Sequence, residues 1–248
     1  MTHLNVLSYN IQVGIPSTSL SDYLLSSWLH MLPGEKRHRN LRQIAQILKH
    51  YDLVGLQEAD AGSYRSNQIN LVENLAKQAG FLHWRVQKNR HIGTIKKPVA
   101  AHSNGLLSRS RILDYQHHPL PGPIAGRGVI LASIDFCGIH LTVAIVHLSL
   151  GKKSRQAQLD FLFELLKPYP DCLLMGDFNE SAENLYKHEL LKSGGFYLPG
   201  CPHTYPSWFP VRSIDHILVK GSLKVAEYQA LPWRLSDHLP VSLKLTLK

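Results

Sequence analysis

Apolar runs in this chain repeatedly end in a residue that an apolar interior does not tolerate alone. The run 4–11 carries Asn10 near its end, 52–58 closes on Glu58, 140–148 carries His147, and 172–177 closes on Asp177 with Asn179 two places on. The run 213–219 holds Asp215 and His216 near its start, and Asp237–His238 stands just before the alternating stretch 241–247. Buried amides, carboxylates and imidazoles cost free energy unless they are paired or bind something. Each has an ordinary explanation when taken singly: a turn amide, a helix-flanking charge, a satisfied core histidine. One site assembled from many strand ends explains all of them together, and it requires a fold in which those strands share an end.

The rest of the chain fits such a fold. Leu41, Ile44, Ala45 and Leu48 recur at helical spacing behind the basic run 36–42, and Leu71, Leu75, Ala76 and Ala79 do so before Gly80, placed as a C-cap. Further helices are expected at 152–167 and 183–192, and strands at 104–108, 129–136 and 223–230. The period-two run 241–247 reads as a strand with one buried face. Strands bunch between helices without a regular strand–helix alternation, which points to an α+β layered sandwich in preference to a doubly wound sheet. Neither a repeat nor a linker divides the 248 residues, so the expectation is one domain over 1–248 with an apolar insert at 14–34. Tyr23, Leu24, Leu25, Trp28, Leu29 and Met31 in that insert either cover the core or form an apolar lip suited to a lipid surface.

Composition narrows the function classes. Three widely spaced cysteines, Cys137, Cys172 and Cys201, argue against a disulfide scaffold or zinc knot and for a reducing compartment. No run is long and apolar enough to span a membrane, and the first ten residues read as a strand and not as a signal peptide, so the expected location is the cytoplasm. The net charge of +9 suggests an anionic partner. Residues 81–128 hold eight Lys/Arg and one acid, Asp114, which suits a phosphate-rich ligand as well as a solvated basic face. Thr204 to Pro210 (TYPSWFP) offers aromatics that would stack on a base, lie at a lipid interface or pack on one another. Arg155 and Gln158 read either as facing the site or, more simply, as an exposed helix start. No protein partner is signalled.

Oxygen donors without cysteine or clustered histidine select a hard cation, Mg²⁺ or Mn²⁺, with Glu58 the best anionic ligand and Asn10 a neutral one beside it. Paired His and Asp candidates fit a hydrolase whose imidazole is oriented by a carboxylate. Together these supply what phosphate-ester cleavage needs: a metal, an activated water and a group for the leaving oxygen.

The pieces LSYNI (7–11), LQE (56–58), NGLLSR (104–109), VHLSL (146–150), GDFN (176–179), SIDHIL (213–218) and SDHLP (236–240) stand in an order that resembles the endonuclease/exonuclease/phosphatase superfamily. Each string is weak alone; seven in order across residues 7–240 are specific. The resemblance implies a four-layer α/β/β/α sandwich like that of DNase I, two mixed sheets flanked by helices, with the site at one end of the sheets. It implies a Mg²⁺-dependent phosphodiesterase with Glu58 and Asn10 as metal ligands and Asp237 close to the metal. His238, oriented by Asp215, would lie beside the attacking water or scissile phosphate. Asp177 would position or deprotonate the water, Asn179 would bond the phosphoryl oxygens, and Asn104 is a phosphate-contact candidate. Gln12 stands where AP endonucleases carry a second acid, whereas His147 matches DNase I and the sphingomyelinases. Nucleic acid is slightly favoured as substrate by charge. A phospholipid head group, reached by peripheral membrane contact, or another small phosphoester is the alternative, and a non-catalytic binding module on the same fold is disfavoured because every chemical position is filled.

Overall fold

The computed structural model describes residues 3–17, 19, 34–94, 98–123 and 126–246. In chain order these form β1 (His3–Asn10), α1 (Glu35–Leu48), β2 (Leu53–Asp60), α2 (Leu71–Ala79), β3 (His83–Gly93), β4 (Pro98–Ser108), β5 (Ile112–Pro119), β6 (Gly128–Phe136) and β7 (Ile139–His147). There follow α3 (Lys152–Leu166), β8 (Cys172–Asp177), α4 (Ala182–Leu185), α5 (Glu189–Lys192), β9 (Phe196–Tyr197), β10 (Asp215–Lys220), β11 (Lys224–Ala230) and β12 (Val241–Thr246). Two six-stranded sheets result, ordered β11-β12-β1-β2-β4-β3 and β5-β6-β7-β8-β10-β9. Each is mixed, and the parallel pairs β1–β2 and β7–β8 lie near its centre.

The alternation of side chains sorts the core into three layers. Between the sheets lie Val6, Leu53, Leu106, Val143, Ile145, Leu173, Met175, Ile217 and Leu243. On the outer face of the first sheet, Leu7, Tyr9, Val54 and Leu56 pack on Leu41, Ile44 and Leu48 of α1 and on Leu71 and Leu75 of α2. On the outer face of the second, Val146, Leu174 and Leu218 pack on Leu159, Leu162 and Leu166 of α3. This is the four-layer sandwich expected from the sequence.

Local signals set the boundaries. Gly80 caps α2 at φ 75°, and the Asn70 side chain accepts from the Val72 and Glu73 amides at its start. The helix expected over 183–192 is two short helices instead. His188 interrupts it: its ring accepts the Leu190 amide as an N-cap, and its Nε2 lies 3.0 Å from Asp160. Within the basic segment the chain folds into β3, the N-terminal half of β4, and β5, strands the periodicity does not reveal. The apolar insert at 14–34 lies largely outside the described residues, including Tyr23 through Met31.

Candidate active site

The inter-sheet row of each central strand changes from apolar to polar at one level. Val6 and Ser8 lead to Asn10 in β1; Leu141, Val143 and Ile145 lead to His147 in β7; Leu173 and Met175 lead to Asp177 in β8; and Val219 and Ile217 lead back to Asp215 in β10. His147 pairs with Asp177, and Asp177 with Asp215, so the three occupy one rung across β7, β8 and β10. Gly176 permits this register: a Cβ there would sit 1.9 Å from the Val146 carbonyl oxygen. The facing sheet reaches across through Asn10, whose Nδ2 donates to Asp177 Oδ2 at 3.1 Å.

Glu58 arrives by a different device. Between Leu56 and Ala59 the register with β4 slips by one residue, and Glu58 takes φ 52°. The outer-face rhythm Val54, Leu56 resumes at Ala59. The bulge therefore leaves Glu58 free to turn inward, where strict alternation would send it toward the helices. Its Oε1 lies 3.9 Å from His147 Nε2.

On the other side of Asp177 stands His238, carried by the loop before β12. Its Nδ1 is 2.8 and 3.1 Å from the two Asp215 oxygens, while its Nε2 is 3.8 Å from Asp177 Oδ2. Thr204 Oγ1 donates to Asp215 at 2.5 Å, and the Tyr205 ring lies 4.9 Å from the imidazole. The TYPSWFP segment thus turns Thr204 and Tyr205 toward the site, while Phe209 is 71% exposed. Asn179, at φ 51°, donates its backbone N–H to Asp177 Oδ1 and its side-chain amide to the Leu148 carbonyl. Gln12 ties the loops together, its N–H bonding Asn10 Oδ1 while its Oε1 accepts from the Asp237 amide and Ser17 Oγ.

The electrostatics divide the two histidines. Burial pulls His238 down, but Asp215, Asp177 and Asp237 outweigh it and hold the imidazole well above its ordinary value. His147 is pushed well below it, first by burial and then by the positive charges of Arg127 and His238. Burial, with Asp215 and Glu58 nearby, lifts the Asp177 carboxyl to about 7; burial and Glu58 lift Asp237 to about 6. Buried acids converging in this way, with oxygen and amide donors alongside, are what a hard divalent cation relieves, so the residues fit such an ion. Asp177, Asp215 and His238 also place ligand atoms within 4.8 Å of one another. Asp215 accepts from Thr204 and faces His238 Nδ1, and Asn10 Oδ1 accepts from the Gln12 N–H.

Nine of the ten residues singled out in the sequence are near this end of the sheets; His216, next to Asp215, faces the other way, its Nε2 2.9 Å from the Glu180 carbonyl oxygen and its ring against Phe178. Asn104 lies farther along the inner face of β4, its Nδ2 donating to the Gly128 carbonyl at 3.3 Å. Sequence reasoning missed Thr204 as the second partner of Asp215, Gln12 as a loop tie, and the role of particular basic residues. Arg109 is structural: it bonds the Tyr51 and Lys49 carbonyls and covers Phe81. Arg85 lies over Tyr115. Arg90 and Arg127, by contrast, line a cleft opening beside Glu58 and His147. Arg155 and Gln158 neither face the site nor lie exposed; both are buried struts. Arg155 pairs with Glu180 at 2.7 Å and bonds the Ser149 and Leu150 carbonyls, and Gln158 holds Ser149 and the Pro121 carbonyl.

Two facing mixed sheets flanked by helices, with an acid, amide and histidine cluster at one end, define a DNase I-like four-layer sandwich. The sequence model of the Endonuclease/Exonuclease/phosphatase family matches residues 7–238, and the chain belongs to that family. The uncharacterized protein YbhP of Escherichia coli K12 is 36% identical over 166 residues, a match covering 60% of this chain and 65% of that relative. Among solved structures, an endonuclease/exonuclease/phosphatase from Beutenbergia cavernae is similar at TM-score 0.76 and 18% identity, covering 100% of this chain and 72% of the other. The mannosyl-6-phosphatase Bt3783 of Bacteroides thetaiotaomicron is similar at TM-score 0.70 and 18% identity, covering 98% of this chain and 100% of its own.

Proposed function

We propose that this protein is a Mg²⁺-dependent hydrolase of phosphodiester bonds, acting as one domain over residues 1–248, with nucleic acid the first substrate class to test. The observation that carries the reading is the arrangement around Asp177: a carboxylate-oriented His238 on one side, His147 on the other, and Glu58, Asn10 and Asp237 alongside. Glu58, Asn10 and Asp237 would hold the Mg²⁺, which when bound supplies Lewis-acid polarisation of a phosphoryl oxygen; Mn²⁺ has the same donor preference. Asp215 keeps His238 charged and aimed, so the imidazolium steadies the phosphoryl oxygens. Asp177, between the two imidazoles, orients the water and takes its proton. Asn179 donates to a phosphoryl oxygen, and the uncharged His147 bonds the group on the opposite side of the phosphorus.

The charge of +9 supports nucleic acid as substrate. The second reading, a phospholipid head group, is supported by an apolar tip on the cleft lining, Leu150, which is 77% exposed. Cys137, Cys172 and Cys201, none of them in a disulfide, support a reducing compartment such as the cytoplasm. Among the described residues no helix is long and apolar enough to cross a membrane.

Nicking of supercoiled DNA in Mg²⁺, with His238→Ala alongside, tests the reading. Nicking by the wild type alone supports a nuclease. If the wild type binds Mg²⁺ without nicking, nucleic acid is discarded and release of phosphorylated head groups from phospholipid is assayed. If neither substrate is cleaved, the hydrolase reading fails.

A further inference from the structure

The cleft beside His147 has a volume of about 530 Å³ and does not include His238, Asp215 or Asn179 in its walls. It opens outward from Glu58 and His147, so whatever fills it flanks the scissile phosphorus. Arg90 and Arg127 stand on one side of it. They are adjacent because the chain closes tightly there: a Cβ on Gly126, at φ 110°, would meet Arg90 Cβ at 2.6 Å. Among the described residues neither guanidinium makes an ion pair or a side-chain hydrogen bond. Arg127 is half-buried, and Glu58 and Asp177 act on it only through space. Burying part of a guanidinium without a partner costs free energy that a bound anion recovers.

Three further observations bear on the ligand. Asn104, 1% exposed in the cleft lining, uses its Nδ2 on Gly128 and Gln87 and leaves Oδ1 as a buried acceptor without a partner. An unpaired acceptor calls for a donor such as a hydroxyl. The helix α3 also begins at the cleft, with Gly151 and Ser154, no side-chain cap and no acid in its first turn, which adds positive potential. Finally, no Phe, Tyr or Trp lines the cleft among the described residues, so it offers no platform on which a base would stack.

We infer that the Arg90–Arg127 cleft is a subsite for a second phosphate, carried on a hydroxylated skeleton next to the scissile phosphodiester. The inference rests on the hydrolase reading for the position of the scissile bond. Two sources share this chemistry, a ribose-phosphate backbone and a phosphorylated polyol.

The test uses two matched pairs: UpU with pUpU, and glycerophosphoglycerol with its terminal phosphate. Calorimetric titration in chelator measures binding without turnover, and steady-state hydrolysis in Mg²⁺ follows. The expected result is that the added phosphate tightens binding about tenfold in at least one pair, as a charge-assisted contact does. Arg127→Gln should bring the ratio within that pair close to one, and Arg127→Lys should retain part of it, which separates loss of charge from loss of fold. The pair that responds identifies the source. Equal affinities within both pairs overturn the subsite. A phosphate preference in binding without hydrolysis of any member keeps the subsite and refutes the hydrolase; hydrolysis without preference does the reverse.

Discussion

His147 and His238 flank the same carboxylate, at 3.4 and 3.8 Å from Asp177 Oδ2, and both are buried. One is nonetheless held neutral and the other charged. The His238 side is lined by acids, with Asp215 bonded to the ring and Asp237 beside it. The His147 side is open to Arg127, whose positive charge adds to the cost of burial, and to His102. His102 itself is lowered to about 4, first by burial and then by Arg65. The lesson is that distance to a shared carboxylate does not decide the charge of an imidazole. The second neighbour does, because in a poorly solvated site opposing charges a few ångströms farther off still act.

That contrast can be broken by mutation. His238→Ala should lower kcat by about 10³-fold or more, and His147→Ala by roughly a tenth as much or less in fold terms. Equal losses, measured on the same diester with folding checked by circular dichroism, would show that the two rings share one role. Next in size is the support of the His147 side. Arg155→Ala leaves Glu180 buried without its partner and should cost about 3 kcal/mol in urea unfolding. The Glu180 carboxyl is burdened by burial but held below its ordinary range by Asn184, Arg155 and the Ser181 amide. Its stabilisation is therefore complete above that ordinary range and is lost as pH falls through the lower folded value. Glu180→Gln should lower stability at pH 7 and flatten the loss that sets in as pH falls below the ordinary carboxyl range.

Smaller effects sharpen the comparison. Glu58→Gln should raise the half-saturating Mg²⁺ concentration about tenfold or more, read by titration, with the shift confined to metal dependence when His238 is intact. The least disruptive test is a proton count. At pH 6.5, the ordinary imidazole midpoint, NMR should find His238 mostly charged and His147 mostly neutral in metal-free protein. Asp215→Asn should move His238 downward, because burial then opposes the charge with less compensation. A His238 that titrates at its ordinary value in both forms would refute the account of Asp215.

Most of the site was legible because strand periodicity carries it. Asn10, His147, Asp177 and Asp215 fall on the same parity as the apolar residues facing the other sheet, so a polar residue there marks where the core ends. Glu58 was legible as the acid that closes an apolar run but not by parity, which is wrong for the site until a bulge corrects it. The edge strands β3 and β5 escaped notice because each buries only one of its residues and so shows no apolar rhythm. The helix over 183–192 was overextended because the N-capping use of a histidine ring has no periodic signature. Arg127 could not be separated from Arg109 by composition: both belong to one basic segment, and only the fold sends one to the Tyr51 and Lys49 carbonyls and the other to the cleft.

The rung that joins His147, Asp177 and Asp215 has a consequence for how the protein fails. Three reactive side chains are attached to neighbouring hydrogen-bonded strands in the middle of a sheet, and the Leu148 amide closes on the Asp177 carbonyl at 2.9 Å. Their spacing cannot drift without breaking backbone pairing on both sides of β8. Heating should therefore not yield a folded chain with a slackened site: amide exchange along this rung, loss of turnover and cooperative unfolding are expected to share one midpoint, while the ends of β3 and β5 exchange long before it.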